Sequence, residues 1–333
     1  MFIYIVVIVI TLVALIAYIL HTSLDKKIVY KSLQNRHVVI TGGSSGIGKA
    51  SAIEAARLGA SVTIVGRDVP KLKLAVEEIT NSGNIKDGQR IQYAALDVTS
   101  DYEVISKSFA SIETDMGPIF MLINCAGACV CGQFENMKVE DIKMLVDLNY
   151  FGTAYPTKYV LKGMKERNEG LLVFVSSEAA FIGIYGYSAY SAGKWAVRGL
   201  AEALTMELVG TGVRLTLAFP PDTDTPGFEK EELTKPNETK LISGTGGLHS
   251  PDDIGKKIIH DAMVGRTYSV FGFSGQILSI LNGGSIESTS QVLLQVFSMG
   301  LLRAIMVSIV LSFHKIVKDG LIERKATKDK KVK

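Results

Sequence analysis

Apolar residues follow several distinct rhythms along this chain. From Phe2 to Leu20, 19 successive positions carry a single polar side chain, Thr11. A helix needs about 20 apolar residues to cross the hydrocarbon core of a bilayer, so the pattern predicts a membrane anchor over residues 1–21. A cleaved signal peptide fits less well, because no basic start and no small-residue cleavage site are evident. Lys26, Lys27, Lys31 and Arg36 come directly afterwards. By the positive-inside rule they place the remainder of the chain in the cytosol.

From His37 the rhythm changes. His37–Ile40, Ser61–Val65, Ile91–Ala95, Phe120–Asn124, Leu171–Val175 and Arg214–Ala218 are short, β-branched runs, and the stretches between them have helical length and periodicity. Strands that are apolar on both faces and alternate with helices predict an α/β fold, a Rossmann-type doubly wound parallel sheet, here over residues 36–265. Residues 220–250 are rich in Pro, Gly, Asp and Thr, which suits loops over a site. Beyond them Tyr268–Leu281 and Val292–Phe313 are apolar. Arg303 sits in the middle of the second stretch, and a central Arg is costly in a spanning helix. Residues 266–314 therefore read as membrane-associated helices, lying on the surface or re-entrant as readily as spanning, with core helices of a soluble domain as the other reading.

Charge adds a boundary. Residues 315–333 hold eight Lys/Arg and three Asp/Glu, a local +5 within a chain of net +3. The body is thus not basic, and nucleic acid is not an expected partner. The basic tail either lies against an anionic membrane or is a solvated end. Its last residues, Lys330-Lys331-Val332-Lys333, resemble a dilysine retrieval signal of the endoplasmic reticulum, against an ordinary basic tail. Cys125, Cys129 and Cys131 are odd in number and tightly spaced. That argues against a disulfide framework. No fourth ligand follows at a finger-like distance, so no metal is expected and the thiols read as buried or incidental.

The chemistry begins at the first strand. Thr41-Gly42-Gly43-Ser44-Ser45-Gly46-Ile47-Gly48 follows it and opens a helix. Glycines there let the backbone approach a pyrophosphate, which the free amides of the helix N-terminus attract. After the second strand stands Gly66-Arg67 where an NAD enzyme would place a carboxylate for the ribose 2′-hydroxyl. A guanidinium there suits a 2′-phosphate, so NADPH is the expected cofactor, unless Arg67 is merely exposed. Lys71 is expected beside it. Asp97 and Val98 at the third strand, with Asn124, Ala126 and Gly127 at the fourth, complete the carboxyl edge of the sheet.

Tyr190-Ser191-Ala192-Gly193-Lys194 puts a phenol and an ammonium four positions apart, on one helix face. An adjacent ammonium lowers a phenol pKa from about 10, giving a proton donor and acceptor near neutrality. Ser177 precedes Tyr190 and offers a hydroxyl to a substrate oxygen. Asn149 is placed to anchor a water that relays protons to Lys194.

Taken together, the loop at 41–48, the Asn-x-Ala-Gly string at 124–127, and Asn149, Ser177, Tyr190 and Lys194 resemble the short-chain dehydrogenase/reductase family. The resemblance implies hydride transfer from a nicotinamide to a carbonyl, a proton from Tyr190, contact of Lys194 with the nicotinamide ribose, and a homo-oligomer. Phe219-Pro220-Pro221-Asp222-Thr223-Asp224-Thr225-Pro226-Gly227-Phe228 is similar to a narrower branch of that family, with Pro221 where the wider family has Gly. That branch implies contact of Thr225 with the nicotinamide amide and a long-chain sphingoid ketone as substrate, taken from membrane lipid at the endoplasmic reticulum. Asp222 and Asp224 are candidates for the substrate ammonium, although loop carboxylates more often form turns. Steroid, retinoid or 3-ketoacyl substrates are the alternative.

Overall fold

The computed structural model describes residues 29–332 except 83 and 283–287, with side chains to 327, and a few isolated positions nearer the N-terminus. Most of the expected anchor at 1–21, and the side chains of Lys330 to Lys333, lie outside the described residues.

Seven parallel strands form one sheet in the order β3-β2-β1-β4-β5-β6-β7. They are β1 (His37–Thr41), β2 (Ser61–Gly66), β3 (Ile91–Ala95), β4 (Ile119–Asn124), β5 (Gly170–Val175), β6 (Val213–Phe219) and β7 (Tyr268–Val270). Strand side chains alternate between faces, and the core follows this rule. Val39, Leu122, Leu172 and Phe174 enter one hydrophobic cluster, while Val38, Ile40, Met121, Ile123, Leu171 and Val173 enter the other. Helices α3 (Tyr102–Met116), α5 (Gly152–Arg167) and α6 (Ser188–Glu207) cover the first face through Phe109, Met164 and Val197. Helices α1 (Gly46–Arg57), α2 (Val69–Ser82) and α9 (Pro251–Met263) cover the second through Ala55, Leu72 and Ile258. Between α3 and α5 lie α4 (Val139–Val146) and a π-helical segment, Asp147–Phe151.

The six expected strands are present, each within a residue or so of its expected ends. The seventh was not expected. Tyr268–Val270 pairs with Leu217–Phe219, so the sheet continues past residue 265 into the stretch read as membrane-associated. Three residues are too few to show an alternation, and tertiary contacts define this strand. Buried Asp261 accepts from Ser269 at 2.7 Å, and Thr216 donates to the Arg266 carbonyl at 2.6 Å.

The loop region after β6 folds into α7 (Pro226–Glu232) and α8 (Asn237–Ser243), and α10 (Gly272–Leu281) follows β7. The last element, α11 (Thr289–Val332), is one continuous helix. It is long and apolar enough to cross a membrane, and only 6% of its most apolar window is buried. Met306 and Val310 pack on the core, whereas Phe297 and Leu301 are exposed. An apolar helix face left this uncovered is compatible with membrane association. Farther along, Gly320 packs closely on the buried Glu238 of α8, and Arg324 pairs with the same carboxylate.

Candidate active site

The carboxyl ends of β1 and β4 are tied together first. Thr41 Oγ1 accepts hydrogen bonds from the amides of Cys125 (3.1 Å) and Ala126 (3.2 Å). Gly42 then turns through the left-handed region (φ +68°), where a Cβ would stand 2.8 Å from the Cα of Ala126. At Gly48 a Cβ would stand 2.3 Å from the Gly42 carbonyl oxygen. Any side chain at either position would fill the cradle. Ser45 precedes α1 without capping it through its side chain, and the first turn holds no acidic residue. The leading amides of α1 therefore face the loop as an anion site. Thr225 closes the far side, its Cγ2 2.8 Å from where a Cβ on Gly46 would lie. Its hydroxyl caps α7 by accepting from the Phe228 amide at 3.1 Å. This cradle fits a dinucleotide pyrophosphate.

Arg67 is exposed and lies 3.4 Å from Asp97. Burial pushes the Asp97 carboxyl up, but hydrogen bonds from Thr99 and the charge of Arg67 outweigh it and hold the group below its ordinary value. Lys71 pairs with Asp68 at 3.4 Å. Val98 is buried against Gly152. Asn124 is buried and donates to Thr157 Oγ1 at 2.9 Å, while its Oδ1 has no hydrogen-bond partner among the described residues. Gly127 crosses directly over two other expected residues. A Cβ there would lie 2.8 Å from Asn149 Oδ1 and 3.3 Å from Lys194 Nζ.

Tyr190 and Lys194 share a face of α6, as their spacing predicts. Lys194 Nζ donates to the Val175 carbonyl at 3.0 Å and lies 5.7 Å from the centroid of the Tyr190 ring. Burial pulls the amine down to about 8, against the opposing effects of Cys125 and Cys129. Ser177 caps the short turn Glu178–Ala180, accepting from the Ala179 amide at 3.2 Å, and stands beside Tyr190.

The expected lowering of the phenol pKa is not found. Burial pushes Tyr190 well above 10, and Cys129, Glu231 and Asp222 push it further, against the opposing effect of Ser177. The main reason is desolvation of the phenol, and the Lys194 amine is directed at the Val175 carbonyl.

Asn149 lies in the π-helical segment, a distortion frequent at functional sites. Its amide donates to the carbonyls of Leu145 (2.9 Å) and Ala128 (3.0 Å) and accepts from the Ala128 amide (3.3 Å). One amide proton and the amide oxygen thus fix the chain at Ala128, next to the Gly127 that covers Lys194, and the other proton bonds back to its own helix.

Asp222 does not stand free. Lys235, whose side chain is fully buried, lies 3.4 Å from Asp222, 3.0 Å from Glu231 and 2.7 Å from Glu232. Desolvation of Lys235 is outweighed by these ion pairs, which keep it charged. Asp224 is exposed. Sequence reasoning missed Glu231, Lys235 and Tyr187, whose phenol donates to Glu231. It also missed Glu178, whose carboxyl burial pushes up to about 7 despite a hydrogen bond from Ser274 at 3.1 Å. Only α7 and α8, short helices within a loop-like composition, bring Glu231 and Lys235 here.

A phosphate cradle at a β–α junction beside a Ser, Tyr and Lys group defines a class. Residues 36–236 match the family model for short chain dehydrogenase, and the chain belongs to that family. Two sequence relatives are longer matches. A 3-dehydrosphinganine reductase of Danio rerio is 44% identical over 298 residues, 89% of this chain and 90% of that protein. A 3-ketodihydrosphingosine reductase of Bos taurus is 44% identical over 295 residues, 88% and 89% of the two chains. Among solved structures, an alcohol dehydrogenase from Thermococcus sibiricus, complexed with 5-hydroxy-NADP, superposes with a TM-score of 0.59 at 25% identity, covering 71% of this chain and 97% of that one. The chain is an oxidoreductase of this family with a nicotinamide cofactor.

Proposed function

We propose that this protein reduces 3-ketodihydrosphingosine to dihydrosphingosine with NADPH, at the endoplasmic reticulum membrane and with its catalytic domain facing the cytosol. One observation carries the chemistry: the Tyr190 phenol and a Lys194 amine fixed by the Val175 carbonyl share one face of α6, the amine 5.7 Å from the centroid of the phenol ring. The substrate rests on near-full-length similarity to reductases named for that ketone.

When bound, NADPH supplies the hydride. The α1 amides would hold its pyrophosphate, Arg67 and Lys71 would meet the 2′-phosphate, Asp97 and Val98 would flank the adenine, and Asn124, Ala126 and Gly127 would border the ribose. Ser177 holds the ketone oxygen. Tyr190 gives that oxygen its proton, so ketone plus hydride plus proton becomes alcohol. Because burial keeps the phenol protonated at neutral pH, it begins in the form that reduction consumes. Negative charge then develops on the phenolate, and Lys194 is the cation on the same helix face that offsets it. Asn149 fixes Ala128 and with it the chain over Lys194.

The membrane reading assigns residues 1–21 to an anchor, 36–265 together with β7 to catalysis, the rest of 266–314 to bilayer contact and 315–333 to a basic tail at the lipid surface. The uncovered apolar face of α11 supports it, because the long-chain ketone resides in membrane lipid. A homo-oligomer is the family expectation. NADPH oxidation on membranes carrying the protein tests the assignment, with 3-ketosphinganine, a ketosteroid, retinal and a 3-ketoacyl thioester as substrates. Turnover is expected with 3-ketosphinganine; turnover of the ketosteroid or retinal alone would overturn it.

A further inference from the structure

Cys129 and Cys131 follow β4 with their Sγ atoms 3.6 Å apart. The fold brings a third ligand that sequence spacing hides. One carboxylate oxygen of Glu231, on α7, and both sulfurs lie within 4.8 Å of one another. The group is fixed from several sides. The Cys131 amide donates to Thr234 Oγ1 at 3.2 Å, the Gly132 amide to the Gly186 carbonyl at 2.9 Å, and Cys131 is buried against Tyr187 and Ala179. Glu231 Oε1 takes both Tyr187 and Lys235, while no hydrogen bond or ion pair to its Oε2 is found among the described residues.

We propose that Cys129, Cys131 and Glu231 form a binding site for a thiophilic divalent cation of the zinc type, and that its occupation inhibits the reductase. Tetrahedral zinc with Zn–S bonds of about 2.3 Å sets two thiolate sulfurs roughly 3.8 Å apart, so the pair needs almost no movement. Two thiolates and the Glu231 carboxylate would present an anionic ligand set to the dication, while the neighbouring Lys235 ammonium is shared with Asp222 and Glu232. With three protein ligands and a cation beside it, the site is weaker than a structural four-ligand centre, and one coordination position stays open. Cys129 and Tyr190 pack on the same small cluster, so a metal held there stands where the ketone must approach.

Cobalt(II) binding to the purified full-length protein reads the site directly. A thiolate-to-cobalt charge-transfer band at one metal per chain is expected, lost in both Cys129→Ser and Cys131→Ser and bound at least about tenfold more weakly in Glu231→Gln. Zinc should inhibit NADPH oxidation competitively with the ketone and reversibly by chelator. Cys131→Ser should retain turnover and lose that inhibition, with cofactor fluorescence confirming that it is folded. Absence of the band, its persistence in Cys131→Ser, or zinc inhibition undiminished in both serine variants would overturn the proposal.

Discussion

Lys194 lies one helical turn beyond Tyr190, yet its ammonium donates to the Val175 carbonyl at 3.0 Å while sitting 5.7 Å from the centroid of the phenol ring. The pair is a buried cation beside a half-buried acid, and desolvation acts on each in the opposite sense from charge stabilisation.

That relationship sets a pH dependence. The Lys194 amine, drawn down to about 8, loses its charge as pH rises through that value, and with it the offset for the developing phenolate. For reduction, kcat/KM should be level near neutrality and fall above about pH 8. Tyr190→Phe should lower kcat by roughly 10²–10⁴-fold with cofactor affinity retained. A pH–rate profile for each variant checks both. A profile that stays flat beyond pH 8 would remove Lys194 from the step.

Gly48 gives a steric test of the cradle. Alanine there would meet the Gly42 carbonyl oxygen at 2.3 Å, which is backbone and cannot turn aside. Gly48→Ala should cost about 1–3 kcal/mol of stability and abolish tight cofactor binding. Thermal unfolding and fluorescence titration separate the two effects. Unchanged cofactor affinity would place the pyrophosphate elsewhere.

Arg67 tests cofactor choice. It is exposed and paired only with Asp97 among the described residues. Removing a charge-assisted contact to a phosphate costs about 1.5–3 kcal/mol, or roughly tenfold or more in affinity. Arg67→Ala should therefore raise KM for NADPH by that factor and leave KM for NADH almost unchanged. An equal effect on both cofactors would assign Arg67 a structural part.

Glu178 carries a sign of its own. Its folded-state pKa is raised to about 7 from an ordinary 4.5, so between those values the folded chain binds the extra proton. The stability linked to that proton is present below about pH 4.5 and lost as pH rises through 7. Glu178→Gln should flatten the dependence and raise stability above neutrality by an amount on the order of 1–3 kcal/mol, seen as a higher Tm. Melting curves across that range decide it, and a Tm lowered equally at all pH values would show that Ser274 holds the carboxylate for packing alone.

How much of this was readable beforehand follows from what each signal measures. β1, β2 and β4–β6 announce themselves because strands buried on both faces must be continuously apolar. β7 does not, since Tyr268–Val270 is defined by pairing with β6 and by Asp261, contacts remote from any local pattern. The glycine loop and the Tyr190–Lys194 spacing are local and were legible. The phenol's raised pKa was not, because spacing shows that two groups can meet but says nothing about burial. Asp222 misled for a related reason: its partner Lys235 reaches it only after α7 forms.

The central claim is hydride transfer to the ketone carbon with a proton from Tyr190. Supplying NADPH deuterated at the transferring position, with 3-ketosphinganine, measures it directly by mass spectrometry of the product. Dihydrosphingosine carrying one deuterium on the carbinol carbon is the predicted result, with Tyr190→Phe forming almost none. Unlabelled product, or labelled product formed at the full rate by Tyr190→Phe, would contradict the account.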